Sequence, residues 1–188
     1  IGASFAVGKE DVYSWSGSIN WFDSHVEDWI LWLPTTKGFF SPKNIKDVHA
    51  YGIEMKSDFN IALKKDMQLS LNGTLSWTPS INEGEPMSPA DQSVGKQLPY
   101  VPEWSSSITG RLTWKQWSLL YKWCFYSERF TMSSNDISLT GKLPSYFMSN
   151  LTLERGVETR WAELSLKGVV NNLFNEEYLS VLSRPMPG

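Results

Sequence analysis

The chain has 188 residues, enough for one domain with a sizeable core but short for two. Its formal net charge is −3, and it lacks the basic stripe that is typical of nucleic-acid-binding proteins. One cysteine excludes an internal disulfide framework, and the motifs HExxH, CxxC, GxGxxG and GxxxxGK[ST] do not occur. We therefore expect no enzyme activity, no metal site, no cofactor and no nucleic-acid partner.

Alternation of apolar and polar side chains is the dominant pattern and predicts β-strands. It is clearest in Met67–Trp77, where the odd positions are mostly apolar and the even positions are polar. Two less regular segments, about 25–33 and 143–155, bring the predicted number of strands to eight, and Asp28 interrupts the alternation of the first. The other predicted strands are Tyr13–Trp21, Tyr51–Ile61, Trp104–Trp114, Trp117–Phe125 and Trp161–Val170.

Short and long connections alternate along the chain. The short ones are predicted at Asp23-Ser24, Lys64-Lys65, Lys115-Gln116 and 156–158, and the long ones at 35–45, 78–102, 128–142 and 173–187. An up-and-down antiparallel meander has this asymmetry when one end carries plain turns and the other carries elaborate loops. Outer-membrane β-barrels are built in this way. We therefore predict an all-β, antiparallel meander.

Aromatic residues begin and end the apolar face of several predicted strands. Eight to ten residues separate the pairs Tyr13/Trp21, Tyr51/Phe59, Trp104/Trp114 and Trp117/Phe125. At ~3.3 Å per residue and a tilt of ~40°, this separation spans roughly 20–25 Å, close to the apolar band of a transmembrane barrel. Tryptophan and tyrosine favour the two membrane interfaces. The alternative is that these rings form the core of a soluble β-sandwich.

The opposite face of the predicted strands carries charged side chains. They are Glu54, Lys56, Asp58, Arg111 and Lys122. A small closed barrel would have to pair all of these charges in its packed interior, whereas a wide barrel hydrates them. We therefore expect these five residues to face a wide polar lumen.

Several segments resemble the TonB-dependent outer-membrane receptors. Val169–Tyr178 and Arg184–Gly188 resemble the C-terminal signature of that family, and Leu98–Pro102 resembles a segment that precedes one of its later strands. Val48–Glu54 is similar to a sequence that recurs at the start of strands in that family. Trp29–Trp32 with Phe40–Asn44 resembles the vitamin B12 receptors of Bacteroides relatives.

This resemblance implies about eight strands of a 22-stranded transmembrane barrel in the bacterial outer membrane. Residues 1–188 would be its C-terminal part, with the plug domain and the final strand absent. The implied partners are outer-membrane lipid, the parent protein's own plug and, through the plug, TonB. The implied ligand is a bulky scarce nutrient: cobalamin or another corrinoid, a ferric siderophore, or haem. The long loops would bind it, and their apolar candidates are Phe39, Phe40, Tyr100, Phe130 and Met132.

Two alternatives remain open at this point. The chain could be a soluble, secreted β-sandwich that binds carbohydrate through exposed tryptophans. It could also be a complete small eight-stranded outer-membrane barrel with a structural or adhesive role.

Overall fold

The structure is a computed structural model that describes residues 1–34, 39–86, 89 and 91–186, without the side chains of 31–34, 40, 43–46 and 185. Within this part of the chain, thirteen strands form and helices are absent, which confirms the all-β prediction. No helix in the described ranges is long and apolar enough to cross a membrane. The strands are β1 Gly2–Lys9, β2 Tyr13–Pro34, β3 Phe40–Lys64, β4 Met67–Trp77, β5 Ser80–Asn82, β6 Trp104–Trp114, β7 Trp117–Tyr126, β8 Arg129–Phe130, β9 Lys142–Leu143, β10 Tyr146–Glu158, β11 Glu163–Val170, β12 Leu179–Val181 and β13 Arg184–Pro185.

Eight long strands form one continuous antiparallel sheet in the order β1-β2-β3-β4-β6-β7-β10-β11. Each strand pairs with the next long strand in the sequence, which confirms the up-and-down meander. The short strand β5 extends the sheet by pairing with β3. Two separate pairs, β8-β9 and β12-β13, lie within the long connections.

The first half of the sheet differs from the prediction. The expected turn at Asp23-Ser24 is wrong, because β2 continues through it and pairs with β3 from Tyr13↔Ile61 to Pro34↔Phe40. The predicted strand at about 25–33 is thus the second half of β2, and most of the predicted loop at 35–45 belongs to β3. Asp28, where the alternation is interrupted, has a φ of 56° inside β2, an uncommon conformation for a non-glycine residue.

The number of long strands remains eight because the sequence analysis missed β1. This strand pairs with β2 from Gly2↔Asn20 to Lys9↔Tyr13. Its turn contains Asp11 with a φ of 58°, and the Val12 amide donates to the Lys9 carbonyl at 3.0 Å. Strand β1 has one partner strand among the described residues, and Gly2–Lys9 shows little contrast between its two faces, so its sequence pattern is weak.

The last short turn also lies later than predicted. Strand β10 continues to Glu158, so the turn occupies 159–162 and not 156–158. Thr159 closes this turn: its amide donates to the Ala162 carbonyl, and its hydroxyl accepts from the Ala162 amide, both at 2.9 Å. The side-chain hydrogen bonds of a threonine favour such turns, and this one sets the register of β10 on β11.

The cross-strand register divides the sheet into two faces. We call the face that carries Trp15, Met55, Leu71 and Ile108 the apolar face, and the face that carries Lys56, Asp58, Asn72 and Lys122 the polar face. Rings on the apolar face cluster at both ends of the strands. Tyr51, Trp77 and Trp104 contact one another in series at centroid distances of 5.8 and 6.1 Å, and we call them the loop-side aromatic row. At the other end lie Tyr13, Trp114 and Trp117, the turn-side aromatic row.

Little of the sheet is buried, and most of the buried side chains belong to the connections. Val48 and Leu98 are each 2% exposed and pack with Val101, while Leu143 and Thr131 are fully buried. Both faces of the sheet are therefore bare in the described chain, and the compact packing lies at one end of it.

Candidate functional site

The long connections meet at one end of the sheet because the strands are antiparallel and the short turns at 10–12, 65–66, 115–116 and 159–162 lie at the other end. We call the described residues of 78–103, 127–145 and 171–186 the loop assembly. The segment 78–103 is anchored on β3 by β5, whose three residues pair with Val48, His49 and Ala50. The chain therefore folds these loops against an edge that the sheet itself supplies.

Gln97 joins two parts of the loop assembly. Its side-chain oxygen accepts from the Ser80 amide at 2.8 Å, and its side-chain nitrogen donates to the Val101 carbonyl at 3.3 Å. Its backbone exchanges two hydrogen bonds with the Asn135 side chain, at 2.8 and 2.9 Å. Gln97 is 5% exposed, so these bonds are shielded from water and fix 78–103 against 127–145.

Arg129 joins 127–145 to the third part of the loop assembly, 171–186. Its Nη2 donates to the carbonyls of Pro144 and Leu179, at 3.3 and 3.1 Å. Its guanidinium lies 4.8 Å from the centroid of Tyr146, a ring that stacks on Tyr178 at 4.6 Å. Burial lowers the pKa of Arg129 from its usual value, and its Nε is buried with no hydrogen-bond partner among the described residues.

The structure brings together two of the five predicted loop residues. The Tyr100 amide donates to the Phe130 carbonyl at 2.7 Å, and burial raises the pKa of the Tyr100 hydroxyl. Met132 lies in the same connection as Phe130 and is 39% exposed. Phe39 is 56% exposed at the tip of the β2–β3 hairpin, and the side chain of Phe40 lies outside the described residues.

A cavity of about 350 Å³ opens beside Phe130 in the loop assembly. Lys142 lies across the Phe130 ring at 4.8 Å and forms an ion pair with Glu128, and both charged residues line the cavity. Gln97 and Trp104 complete much of the wall. The cavity thus combines an aromatic surface with a cation and an anion, and its volume lies at the small end of the range for ligand sites.

The exposed tip of the 127–145 connection is held by a local turn. The Asp136 carboxylate accepts from the amide and from the hydroxyl of Ser138, at 3.0 and 2.8 Å. These bonds stabilise the ionised form and lower the pKa of Asp136. The turn presents Ile137 and Leu139 almost fully to solvent, at 84% and 102% exposure.

The five charged residues predicted to face a lumen share the polar face of the sheet. Asp58 pairs with Asn72, which pairs with Thr109, which pairs with Lys122, so these side chains form one row across four strands. Glu54 and Lys56 precede Asp58 on the same face, and Arg111 follows Thr109 on it. Lys56 lies 3.9 Å from Asp58, and the Asn72 amide donates to Asp58 at 2.5 Å.

A cluster on the apolar face was missed by the sequence analysis. His25 and His49 lie directly opposite each other in the β2–β3 pairing, and their rings stack at a centroid distance of 4.1 Å. Asp23 and Glu83 contact the two rings. Pairing β2 with β3 in one constant register would have placed residue 25 opposite residue 49. The sequence analysis did not consider this pairing because it expected a turn at Asp23-Ser24.

His49 lies two residues beyond Tyr51, on the loop side of the loop-side aromatic row. Desolvation works against its protonated form, but hydrogen bonds to Glu83 and Asp23 outweigh this effect, and the pKa of His49 is raised. The surroundings of this imidazole therefore favour positive charge.

Solved structures with the same fold cover nearly the whole chain. The ferric preacinetobactin receptor BauA from Acinetobacter baumannii has a TM-score of 0.58 and 12% identity over 94% of this chain and 25% of its own. The ferric citrate transporter FecA has a TM-score of 0.61 and 12% identity over 90% of this chain and 25% of its own. The copper transporter OprC has a TM-score of 0.61 and 16% identity over 100% of this chain and 29% of its own.

These identities are low, so the likeness concerns the fold alone. The chain spans about a quarter of the length of each of these structures. Among curated proteins, no sequence matches it. The family model described as "TonB dependent receptor-like, beta-barrel" matches residues 4–173. Because this match covers most of the sequence, the chain belongs to the TonB-dependent receptor family, as part of its β-barrel.

Proposed function

We propose that this chain is the C-terminal part of the barrel of an outer-membrane receptor that takes up a bulky, scarce nutrient. Residues 1–188 would lack the plug domain and the final strand of the parent protein. The polar face would line the lumen, the apolar face would contact lipid, and the loop assembly would bind the nutrient outside the cell. TonB, acting through the plug, would supply the energy, so the chain would work in transport and not in catalysis.

The observation that carries this proposal is the contrast between the two ends of the sheet within a receptor-family barrel. One end has tight turns, and the other has connections that pack on one another around buried Leu98, Leu143 and Arg129. Loops with their own packed interior can hold a binding surface in a fixed geometry, and binding sites concentrate on loops that a rigid scaffold supports. The cavity beside Phe130 is the part of this surface that we assign to the ligand.

The substrate class that we propose is a metal-containing chelate: cobalamin or another corrinoid, a ferric siderophore, or haem. Two of the similar structures are a ferric preacinetobactin receptor and a ferric citrate transporter, which favours testing iron complexes alongside cobalamin. The aromatic ring of Phe130 and the charges of Lys142 and Glu128 offer contacts for a large ligand with a polar edge.

The two alternatives have less support. A β-sandwich needs two packed sheets, whereas the eight long strands of the described chain form one sheet. A closed eight-stranded barrel needs β1 to pair with β11, and no such pairing joins them in the described ranges.

Nutrient-limited growth of the source bacterium tests the proposal. The receptor gene is deleted and then restored as wild type, as Phe130→Ala, or as Trp161→Ala, which removes an 88% exposed aromatic ring from a turn at the opposite end. Growth is measured with cobalamin limiting, and separately with iron supplied only as a siderophore complex or as haem. We expect the deletion to abolish growth in one medium. Phe130→Ala should raise the nutrient concentration for half-maximal growth at least about tenfold, because a buried aromatic contact often dominates binding.

Trp161→Ala should grow as wild type, and all variants should reach the outer membrane in equal amounts. The receptor in that fraction should also be several times longer than 188 residues. Normal growth of the deletion strain in every medium would overturn nutrient uptake. Equal growth of Phe130→Ala and Trp161→Ala would overturn the cavity as the binding site.

A further inference from the structure

The β2–β3 hairpin and the loop assembly place four potential metal ligands together on the apolar face, beyond the loop-side aromatic row. Antiparallel pairing sets His25 opposite His49 and Asp23 opposite Tyr51. Glu83 follows β5, which pairs with β3 beside His49. The four side chains thus come from three segments that backbone pairing holds together.

The distances between these side chains suit a single ion. His49 Nε2 lies 2.9 Å from Asp23 Oδ1, and His25 Nδ1 lies 3.7 Å from the same oxygen. One ligand atom from each of the three residues lies within 4.8 Å of the others. Ligands of a tetrahedral zinc ion, at bond lengths of ~2.0–2.1 Å, are separated by roughly 3.3 Å. The separations in the cluster are close to this value, but the two stacked imidazoles must rotate before both can direct a ring nitrogen at one ion.

Glu83 occupies the position of an orienting residue. Its Oε1 lies 3.1 Å from His49 Nδ1, on the far side of the ring from the Nε2 that faces Asp23. Histidine ligands of metals usually donate their other ring N–H to a carboxylate, which fixes the tautomer and the ring orientation. Accordingly, a hydrogen bond from His49 Nδ1 to Glu83 would leave Nε2 unprotonated and ready to ligate.

The surrounding charge favours a divalent cation. Glu27 lies directly opposite Asp47 two pairs beyond the two histidines and on the same face, and like charges in that position repel. Asp23 and Glu83 contact the two imidazoles directly, and Glu27 and Asp47 add two carboxylates on the same face nearby. The His25 side chain is 65% exposed and the Asp23 side chain 39% exposed, so an ion can reach them from solvent and retain a water as its fourth ligand.

We propose that Asp23, His25 and His49 bind a divalent transition-metal ion of the zinc type, with Glu83 holding His49 in place. Imidazole and carboxylate together suit zinc better than calcium or magnesium, which prefer oxygen ligands alone. Because Glu83 belongs to the loop assembly, the ion would clamp the 78–103 connection to the hairpin. This site is separate from the nutrient cavity beside Phe130, and its occupancy does not depend on the proposed substrate.

Zinc binding by the full-length receptor tests the inference. The detergent-purified protein is stripped with a chelator and titrated with Zn²⁺ against a chromophoric competitor, and bound zinc is counted after dialysis. We expect the wild type to bind one more equivalent of zinc than the double variant His25→Gln, His49→Gln. Glu83→Gln should retain that equivalent with about 10–100-fold weaker affinity.

Glu163→Gln is the matched control, since it removes an exposed carboxylate at the opposite end of the sheet. It should bind zinc as the wild type does. All proteins should show the same unfolding profile without metal, which separates lost ligation from lost structure. Equal zinc stoichiometry in the wild type and in the double variant would overturn the proposal, whatever the outcome of the nutrient-growth experiment.

Discussion

The sheet and the loop assembly obtain their stability from different places. In the sheet, large apolar side chains such as Trp15, Ile108 and Leu166 are 45–63% exposed, because the described chain covers neither face. In the loop assembly, Leu143 and Thr131 are fully buried, and even Arg129 is only 6% exposed. The regular part of the molecule is therefore bare, and the irregular part has the packed interior.

This contrast follows from what each region faces in a membrane barrel. Lipid would cover the apolar face and remove it from water, and the strands satisfy one another's backbone hydrogen bonds, as a membrane requires. Loops above a membrane have only water and one another, so they must bury their own apolar groups and pair their own polar groups. The hydrogen bonds of Gln97 and Arg129 show this pairing.

The largest effect that we expect is in the loop assembly. Leu143→Ala removes a fully buried side chain and leaves a cavity, at a cost of about 2–5 kcal/mol to local stability. Leu139→Ala, in the same connection, removes a fully exposed side chain and should leave the local stability unchanged. Hydrogen exchange of segment 127–145 in the intact receptor measures both. Equal protection in the two variants would show that the loops do not pack as described.

The two faces of one strand provide the next test. Leu71 and Asn72 are neighbours in β4, with Leu71 on the apolar face and Asn72 bonded to Asp58 on the polar face. Leu71→Arg should cost about 2–4 kcal/mol if that face meets lipid near the bilayer centre. Asn72→Arg should cost much less, because its charge can pair with Asp58. Unfolding of the receptor in lipid vesicles by urea measures the difference, and a reversed order would exchange the assignments of the two faces.

The smallest effect concerns two glycines in the sheet. A Cβ at Gly52 would collide with the backbone carbonyl of Trp77, whereas a Cβ at Gly73 would meet nothing within 4 Å. Gly52→Ala should therefore destabilise the receptor by about 1–3 kcal/mol through displaced backbone. Gly73→Ala should lie within roughly 0.5 kcal/mol of the wild type. The same unfolding measurement applies, and tolerance of Gly52→Ala would mean that β3 does not approach Trp77 so closely.

Much of the sheet could be predicted because side-chain alternation reports directly which face each residue occupies. Met67–Trp77 and Trp104–Trp114 were predicted with the bounds that the structure has. The full length of the β2–β3 hairpin was not predicted, because the alternation of apolar and polar residues fades beyond Trp21 while backbone pairing with β3 continues to Pro34. In such a segment the partner strand decides the structure, and local sequence does not report the partner.

For the loop residues, too, local sequence predicted part of the structure and contacts between distant segments decided the rest. Tyr100 and Phe130 were predicted as loop residues, but their mutual contact depends on how two connections separated by thirty residues in sequence pack together. The sequence analysis did not identify Arg129 or Gln97, because a single polar residue in a loop sequence does not indicate whether its side chain is buried.

The sequence by itself determined the strand period, the two faces, the aromatic ends and the polarity of the connections, because each depends on neighbours along the chain. Only the tertiary structure decided that His25 meets His49 and that Arg129 bonds to two parts of the loop assembly. Such juxtapositions depend on register and on loop packing, which arise from hydrogen bonds between distant segments and leave no periodic mark in the sequence.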